Sequence, residues 1–437
     1  MVMTPWGPSE ELREGRLAGN GVSRDEARAN QRQRLYGAMV ACCETKGYEA
    51  TSVRDLLEVS GVSRGTFYEH FEGKLACFEA TIEAILADVV IAITNRLRGE
   101  GDAEARALAA FDTFVALVVA QPAASRLAFV HAYAAGETGL EPVRRTIETI
   151  VEIGREILDE MPGRAAVPRD LARAVIGGFY RIFYERLESR REAELPSLVE
   201  GMWRWAMSYE TPPQPLVASG RRRALPASKE AMPPFAAADP EQRIIRAFAA
   251  VIAEKGYAGT TIADVAAAGS FSQSTFYAHF ADKADVMEAA LDASGAQMLA
   301  ATLPAARRAP DWAHAVRVVA GAGLTFLATE PGFAELRIFA VYAAGPAAIA
   351  QREDTGAQML QEIIGPVFAD VPEIDPLVLE GIFGAINGIS YEQLRAGGPA
   401  SLPDAAPLVT YVALTPLIGA ETACEIANGD GRGKRQA

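Results

Sequence analysis

The chain is predicted to be all-α, and three observations carry that expectation. Apolar residues recur at helical spacing along most of its length. Alternating Val/Ile/Thr stretches flanking Asn-Gly or Asp-Gly turns are not found. The block Lys46 to Lys74 returns without a gap 209 positions later, as Lys255 to Lys283, so one helical unit is written twice. The two copies keep Gly47/Gly256, Thr51/Thr260, Asp55/Asp264, Ser63/Ser272, Thr66/Thr275, Phe67/Phe276, Tyr68/Tyr277, His70/His279 and Phe71/Phe280.

Each copy resolves into three helices. Leu35, Met39, Val40 and Cys43 fall on one helical face that Gly47 ends, and Ile244, Phe248, Ala249 and Ile252 repeat the pattern before Gly256. A short helix follows, capped near Thr51-Ser52 or Thr260-Thr261, with Val53, Leu56 and Leu57, or Ile262, Val265 and Ala266, on its inner face. A tight turn at Ser60-Gly61 leads to a third helix starting at Ser63, which Phe67 and Phe71 anchor to the other two. Helix, tight turn and helix in this order form a helix-turn-helix pattern.

Longer helical regions follow each triplet, and the same shift persists in them. Gln121-Pro122 answers Glu330-Pro331, and Tyr133-Ala-Ala-Gly136 answers Tyr342-Ala-Ala-Gly345. The expected organisation is a loose segment over 1–28, a three-helix domain over 29–90, a helical bundle over 91–210, and a Pro/Ala/Ser-rich linker over 211–238. A second three-helix domain over 239–299, a second bundle over 300–428 and a tail over 429–437 complete it.

Composition narrows the function. The chain has 437 residues and a net charge of -14, yet Asn30 to Leu75 and Pro240 to Lys283 are each neutral, so the repeats are relatively basic islands in an acidic chain. Arg221, Arg222 and Arg223 form a basic run in the linker, read as a solvated stretch. No cleavable hydrophobic start is seen, and no apolar run approaches the ~18 residues of a membrane span, so a cytoplasmic location without membrane contact is expected. Cys42, Cys43, Cys77 and Cys424 lack C-x-x-C or His-paired spacing and read as small buried hydrophobes rather than metal ligands. No cofactor or metal site is expected.

The stretch TSVRDLLEVSGVSRGTFYEHFEGK resembles the N-terminal DNA-binding domain of the TetR/AcrR family of bacterial transcriptional regulators. The second copy resembles it too, with Ser270 in place of the turn glycine, Phe271 in place of the valine and Ser274 in place of the glycine before the threonine. The resemblance implies two units, each a DNA-binding triplet followed by a ligand-binding and dimerisation bundle. It implies double-stranded DNA and a small-molecule effector as partners, most often with repression as the outcome.

A short helix with a free first turn can press its side chains against base edges in the major groove. In the first copy that turn carries Arg64, Gly65 and Thr66 after Ser63. In the second it carries Gln273, Ser274 and Thr275 after Ser272. Arg64 suits a guanine edge and Gln273 an adenine. The resemblance adds phosphate or groove contacts at Ser52, Arg54, Tyr68, His70 and Lys74, and at Thr261, Tyr277, His279 and Lys283.

Gly61-Val62-Ser63-Arg64-Gly65 also matches the G-x-S-x-G elbow of serine hydrolases, but a helix rather than a strand precedes it in this reading, and no catalytic constellation is assembled. An enzyme is therefore not expected. Arg126, His131, Tyr133, Tyr180, Tyr184, Tyr342, Asn387 and Tyr391 are the candidate polar lining of effector pockets in the bundles.

Two readers in one chain suggest an intramolecular pseudo-dimer that sets two helices about 34 Å apart on an imperfect palindrome. A flexible linker of this length spans roughly 30 Å, or about 90 Å when extended, and tethering raises the effective concentration to the order of millimolar. Pairing of two chains, and a helical binding protein that no longer touches DNA, are the alternatives.

Overall fold

The computed structural model describes residues 1–14, 23–217, 239–345, 347–352 and 372–429. The Arg221–Arg223 run lies outside the described residues. Among the described residues the fold is all-α, as the periodicity predicts, apart from one antiparallel pair of two-residue strands, β1 (Met3–Thr4) and β2 (Gly7–Pro8). Chain contacts divide it into two compact units, Met1–Ala172 with Phe179–Trp203, and Arg173–Gly178 with Arg204–Ala437.

In the first unit α1 (Arg24–Ala50), α2 (Val53–Ser60) and α3 (Arg64–His70) form the triplet. Then come α4 (Lys74–Leu97), α5 (Ala103–Ala120), α6 (Pro122–Arg126), a π-helical turn at Leu127–His131, α7 (Ala132–Ala134), α8 (Gly136–Leu158), α9 (Arg169–Glu188) and α10 (Leu195–Ala206). The triplet's core is Leu35, Met39, Val40, Cys43, Leu56, Phe67 and Phe71. Gly47 sits at φ 78°, breaking α1 before its last residues, where an L side chain would be strained. Burial pushes the thiols of Cys43 and Cys77 up to about 12, consistent with inert core residues.

The opening residues, expected to be loose, are docked. Leu12 and Thr4 are buried, the Arg34 Nε donates to the Leu12 carbonyl at 2.7 Å, and Trp6 packs on Tyr36, which in turn meets Phe71. Gly37 makes this docking possible, because a Cβ there would lie 2.8 Å from the Leu12 methyls. Periodicity has no means of revealing a segment held by single side chains.

The second unit repeats the plan as α11 (Pro240–Gly259), α12 (Ile262–Gly269), α13 (Gln273–His279), α14 (Lys283–Ala306), α15 (Trp312–Thr329), α16 (Pro331–Glu335), a π-helical turn at Leu336–Ala340 and α17 (Val341–Ala344). It closes with α18 (Pro376–Gly397), a 3-10 stretch at Pro399–Ala405, α19 (Ala406–Ile418) and α20 (Ala420–Asn428). Ile244, Phe248, Ile252, Val265, Phe276 and Phe280 fill the triplet's core.

The start of the expected linker is also anchored. Tyr411 Oη donates to the Glu210 carbonyl, Val217 N–H to Asn428 Oδ1, and Asn428 Nδ2 to the Pro215 carbonyl, at 2.9, 2.9 and 3.1 Å. A further correction concerns apolar length: the Pro399–Ile418 stretch is long and apolar enough by composition to cross a membrane, as is the pair Ala103–Ala120 and Pro122–Ala134, which is bent by 100°. Half of the Pro399–Ile418 stretch is buried, including Tyr411, Val412 and Leu414, and it packs on α15 and α18.

Candidate nucleic-acid interface

The reading helices are set by capping chemistry. The hydroxyl of Ser63 accepts from the Thr66 N–H at 3.1 Å, and that of Ser272 accepts from Thr275 N–H at the same distance. Each cap therefore takes up one free amide of the first turn. Beneath α3 and α13 the fully buried Phe67 and Phe276 pin the inner face. The outer face is left open: Arg64 and Gly65, and Gln273 and Ser274, are exposed, with Thr66 and Thr275 half-buried beside them. Arg64 lies 5.8 Å from the Tyr68 ring centroid, and Tyr68 and Tyr277 are exposed, at 48% and 56%.

The preceding helix is aimed by a reciprocal capping box. Ser52 and Asp55 form it in the first copy, Thr261 and Asp264 in the second. Lys46 closes on Asp55 at 2.7 Å and Lys255 on Asp264 at 2.6 Å. The lysine and the serine together hold the Asp55 carboxyl well below the usual range, and the matching groups bring Asp264 down to about 2. Sequence reasoning noted both aspartates as repeated but missed the lysine contact; the parallel repetition of Lys46 and Lys255 was the available signal.

Several residues expected to contact DNA also have partners within the fold. Lys74, expected at phosphate, donates to the Tyr48 carbonyl at 2.9 Å and lies 4.1 Å from that ring's centroid. Lys283 does the same with Tyr257, at 2.9 and 4.2 Å. The cause is the kink at Gly47 and Gly256, which turns the following carbonyls toward the head of the next long helix. His70 Nε2 is 3.0 Å from Gln31 Oε1, and burial, then Arg28 and Arg32, pull its pKa down. His279 is exposed, and Pro240 stands where the first copy has Gln31. Ser52 and Thr261 remain exposed at their caps, and Arg54 projects outward with 87% of its side chain exposed.

Behind the α2–α3 turn lies a cleft of about 240 Å³ lined by Ala27, Asn30, Gln31, Arg34, Gly61, Val62, Ser63 and Thr66. Arg34, which sequence reasoning overlooked, crosses beneath it to the Ser60 carbonyl. Ser63 follows helix α2, and its hydroxyl lies 2.9 Å from Thr66 Oγ1 while capping α3, so the strand-to-helix elbow of a hydrolase is not formed here.

A family model described as bacterial regulatory proteins of the tetR family matches residues 38–81 and again 244–290, the two triplets just described. The chain belongs to the tetR family. Among relatives of this regulator, the HTH-type transcriptional activator FasR of Mycolicibacterium smegmatis is 25% identical over 196 residues, which cover 44% of the regulator and 86% of FasR. The uncharacterized HTH-type transcriptional regulator YvdT of Bacillus subtilis is 30% identical over 70 residues, 16% of the regulator and 36% of YvdT. A solved structure of the fatty acid degradation regulator FadR from Bacillus halodurans aligns with 40% of the regulator and 96% of its own chain, at 15% identity and a TM-score of 0.37.

The candidate pocket residues of the regulator fall into separate groups. Arg126 is buried and bidentate to Glu44 at 2.8 and 3.0 Å, with Glu192 at 3.1 Å. Tyr133 meets the rings of Tyr180 and Tyr184, Tyr180 donates to the Phe129 carbonyl at 2.9 Å, and His131 is half-buried nearby with its pKa lowered by burial. In the second unit Arg352 lies over Tyr342, 4.9 Å from the ring centroid, Tyr391 stacks on Phe339, and Asn387 is half-buried on α18.

Proposed function

We propose that this transcriptional regulator uses both helix-turn-helix units of one chain to read two unequal half-sites of a single operator, under control of a small-molecule effector. The observation that carries the reading is the matched pair of serine-capped helices whose exposed first turns differ, Arg64-Gly65-Thr66 against Gln273-Ser274-Thr275. Arg64 offers a fork of donors for guanine O6 and N7, while Gln273 offers the donor and acceptor pair that suits adenine. Ser52, Arg54, Tyr68, Thr261 and Tyr277 would hold phosphates, with His70 and His279 at the rim. Lys74 and Lys283 act from behind by fixing the kinks.

An effector would act by favouring a state in which the two readers no longer match their half-sites, which requires unequal affinity for the two states. The test is a mass measurement on the DNA complex combined with half-site exchange. One chain per operator, with tighter binding to the asymmetric site than to either perfect palindrome, is the expected result. Two chains per operator, or preference for a perfect palindrome, overturns the pseudo-dimer and leaves the regulator acting as a dimer of chains.

A further inference from the structure

The opening segment meets the first reader at both ends of its reading helix. At the far end Trp6 packs on Tyr36 with ring centroids 5.2 Å apart, and Tyr36 packs on Phe71, the residue that closes α3, at 6.1 Å. At the near end the Arg34 guanidinium joins two carbonyls, that of Leu12 at 2.7 Å and that of Ser60, the last residue of α2. Leu12 itself is only 3% exposed and is seated over Gly37. A leucine taken out of water and a carbonyl held by a guanidinium fix the segment beside α3.

The turn that carries Leu12 also carries a cation. The Glu14 N–H donates to the Glu11 carbonyl at 2.9 Å, so Leu12 and Arg13 are the two central residues of a tight turn. With Leu12 buried, Arg13 stays exposed, and among the described residues it forms no hydrogen bond or ion pair. Its stem runs across the α2–α3 turn: a Cβ added at Gly61 would lie 2.9 Å from Arg13 Cγ and 3.5 Å from Arg13 Nε. Glu11 and Glu14 are exposed on the same segment, yet the side chains nearest that Cβ belong to Arg13 and Arg34, both cations. Gly61 is also part of the cleft that Ser63 and Thr66 line, so Arg13 stands at the edge of the surface that α3 offers.

A helix lying in the major groove has a sugar-phosphate backbone on either side of it. A cation beside the turn that leads into such a helix meets that backbone and not the base edges, and phosphate contacts of this kind fix the register of a protein on the duplex. We propose that Arg13, held in place by the docked opening segment, is a phosphate contact of the first reader, with Leu12 as its positioning residue. The proposal rests on the reading of α3 as a DNA reader. The second copy does not repeat the seat: the register puts Ile245 at the position of Tyr36, Arg246 at that of Gly37, and Ser270, which has a Cβ, at that of Gly61.

A duplex enriched by the full chain from a random-sequence pool is the probe, and its affinity is measured over a series of salt concentrations. R13Q is expected to reduce the salt slope by about one and to weaken binding about fivefold to tenfold at about 0.1 M salt, whereas R13K keeps the slope. Urea unfolding of R13Q should match the wild type, because Arg13 has no polar partner among the described residues. Ethylation of single phosphates is expected to weaken wild-type binding at one phosphate of the first reader's half-site that no longer matters to R13Q. L12A keeps Arg13 yet is expected to lose the same slope, and combining it with R13Q should lose no more. Should L12A fail to fold, G37A is read in its place, since it fills the seat while favouring the helix.

An unchanged slope in R13Q, a slope lost equally in R13K, or a slope kept in L12A overturns the proposal. R64A separates it from the reading beneath it. If R64A weakens binding while R13Q does not, the Arg13 contact alone is refuted. If R64A binds the duplex as the wild type does, or no duplex is enriched, the DNA reading of α3 fails and the proposal falls with it.

Discussion

Gly61 and Ser270 occupy the same left-handed turn ahead of the two reading helices, at φ 63° and 54°. The glycine is there for two reasons. It adopts positive φ without strain, and a Cβ at that position would lie 2.9 Å from Arg13 Cγ and 3.1 Å from Arg34 Nη2. The serine carries the conformational cost of that region, which for a non-glycine residue is roughly 1–2 kcal/mol.

Opposite responses are therefore expected at equivalent positions. Ser270→Gly stabilises the second unit by about 1 kcal/mol, and Gly61→Ala destabilises the first by at least about 1 kcal/mol. Urea unfolding of the full chain, followed through a probe in each unit, reads both. The same sign at the two sites would contradict the described turn.

Asp264 makes the second reader sensitive to acid. Its pKa falls from the ordinary 3.8 to about 2, chiefly through Lys255 and then Thr261. A carboxylate depressed on folding contributes stability that is complete above its unfolded value and is lost as pH drops through the folded value. Acid titration of wild type against Asp264→Asn is expected to converge between those two values, with the wild type the more stable above them. Curves that run parallel across the window would rule out the contribution.

Arg126 links α6 to α1 through Glu44, and both side chains are about nine-tenths buried. Arg126→Met leaves Glu44 with the more exposed Arg190 at 2.7 Å and leaves Glu192 without Arg126. A loss of about 3 kcal/mol is expected from chemical denaturation. Glu44→Gln combined with Arg126→Met should recover part of it, because two buried charges then disappear together.

Lys74 separates two accounts of one residue. If it fixes the kink through the Tyr48 carbonyl and ring, Lys74→Met lowers stability by about 1–2 kcal/mol and leaves the salt dependence of operator binding as it was. A phosphate contact would instead reduce the salt slope by about one.

Arg64→Ala is expected to cost about 1–3 kcal/mol of operator affinity and to relax preference at one guanine, while Gln273→Ala relaxes a different position in the other half-site. Binding measured against a set of single-base operator variants distinguishes this from a uniform loss across all of them, which would mark Arg64 as a phosphate contact.

Local chemistry was what the sequence made legible. A serine three residues before a free amide caps a helix wherever the chain goes, so Ser63 and Ser272 were readable, as were Phe67 and Phe71 at helical spacing. Contacts that span the fold were not. Arg34 meets a carbonyl 22 residues earlier, Lys74 one 26 residues earlier, and Arg126 a carboxylate 82 residues away. No spacing rule announces such pairs, because long side chains reach whatever tertiary packing brings near. The carboxylate partners of Arg126 were accordingly not foreseen.

The docked opening segment makes the order of the copies directional. Gly37 admits the Leu12 side chain, whereas the equivalent position of the second copy is Arg246. A gene rearranged so that the later reader came first would bring a guanidinium-bearing side chain against Leu12, and Met1 to Glu14 would lose their seat. Circular shuffling of the duplicated halves is thus barred by one missing side chain.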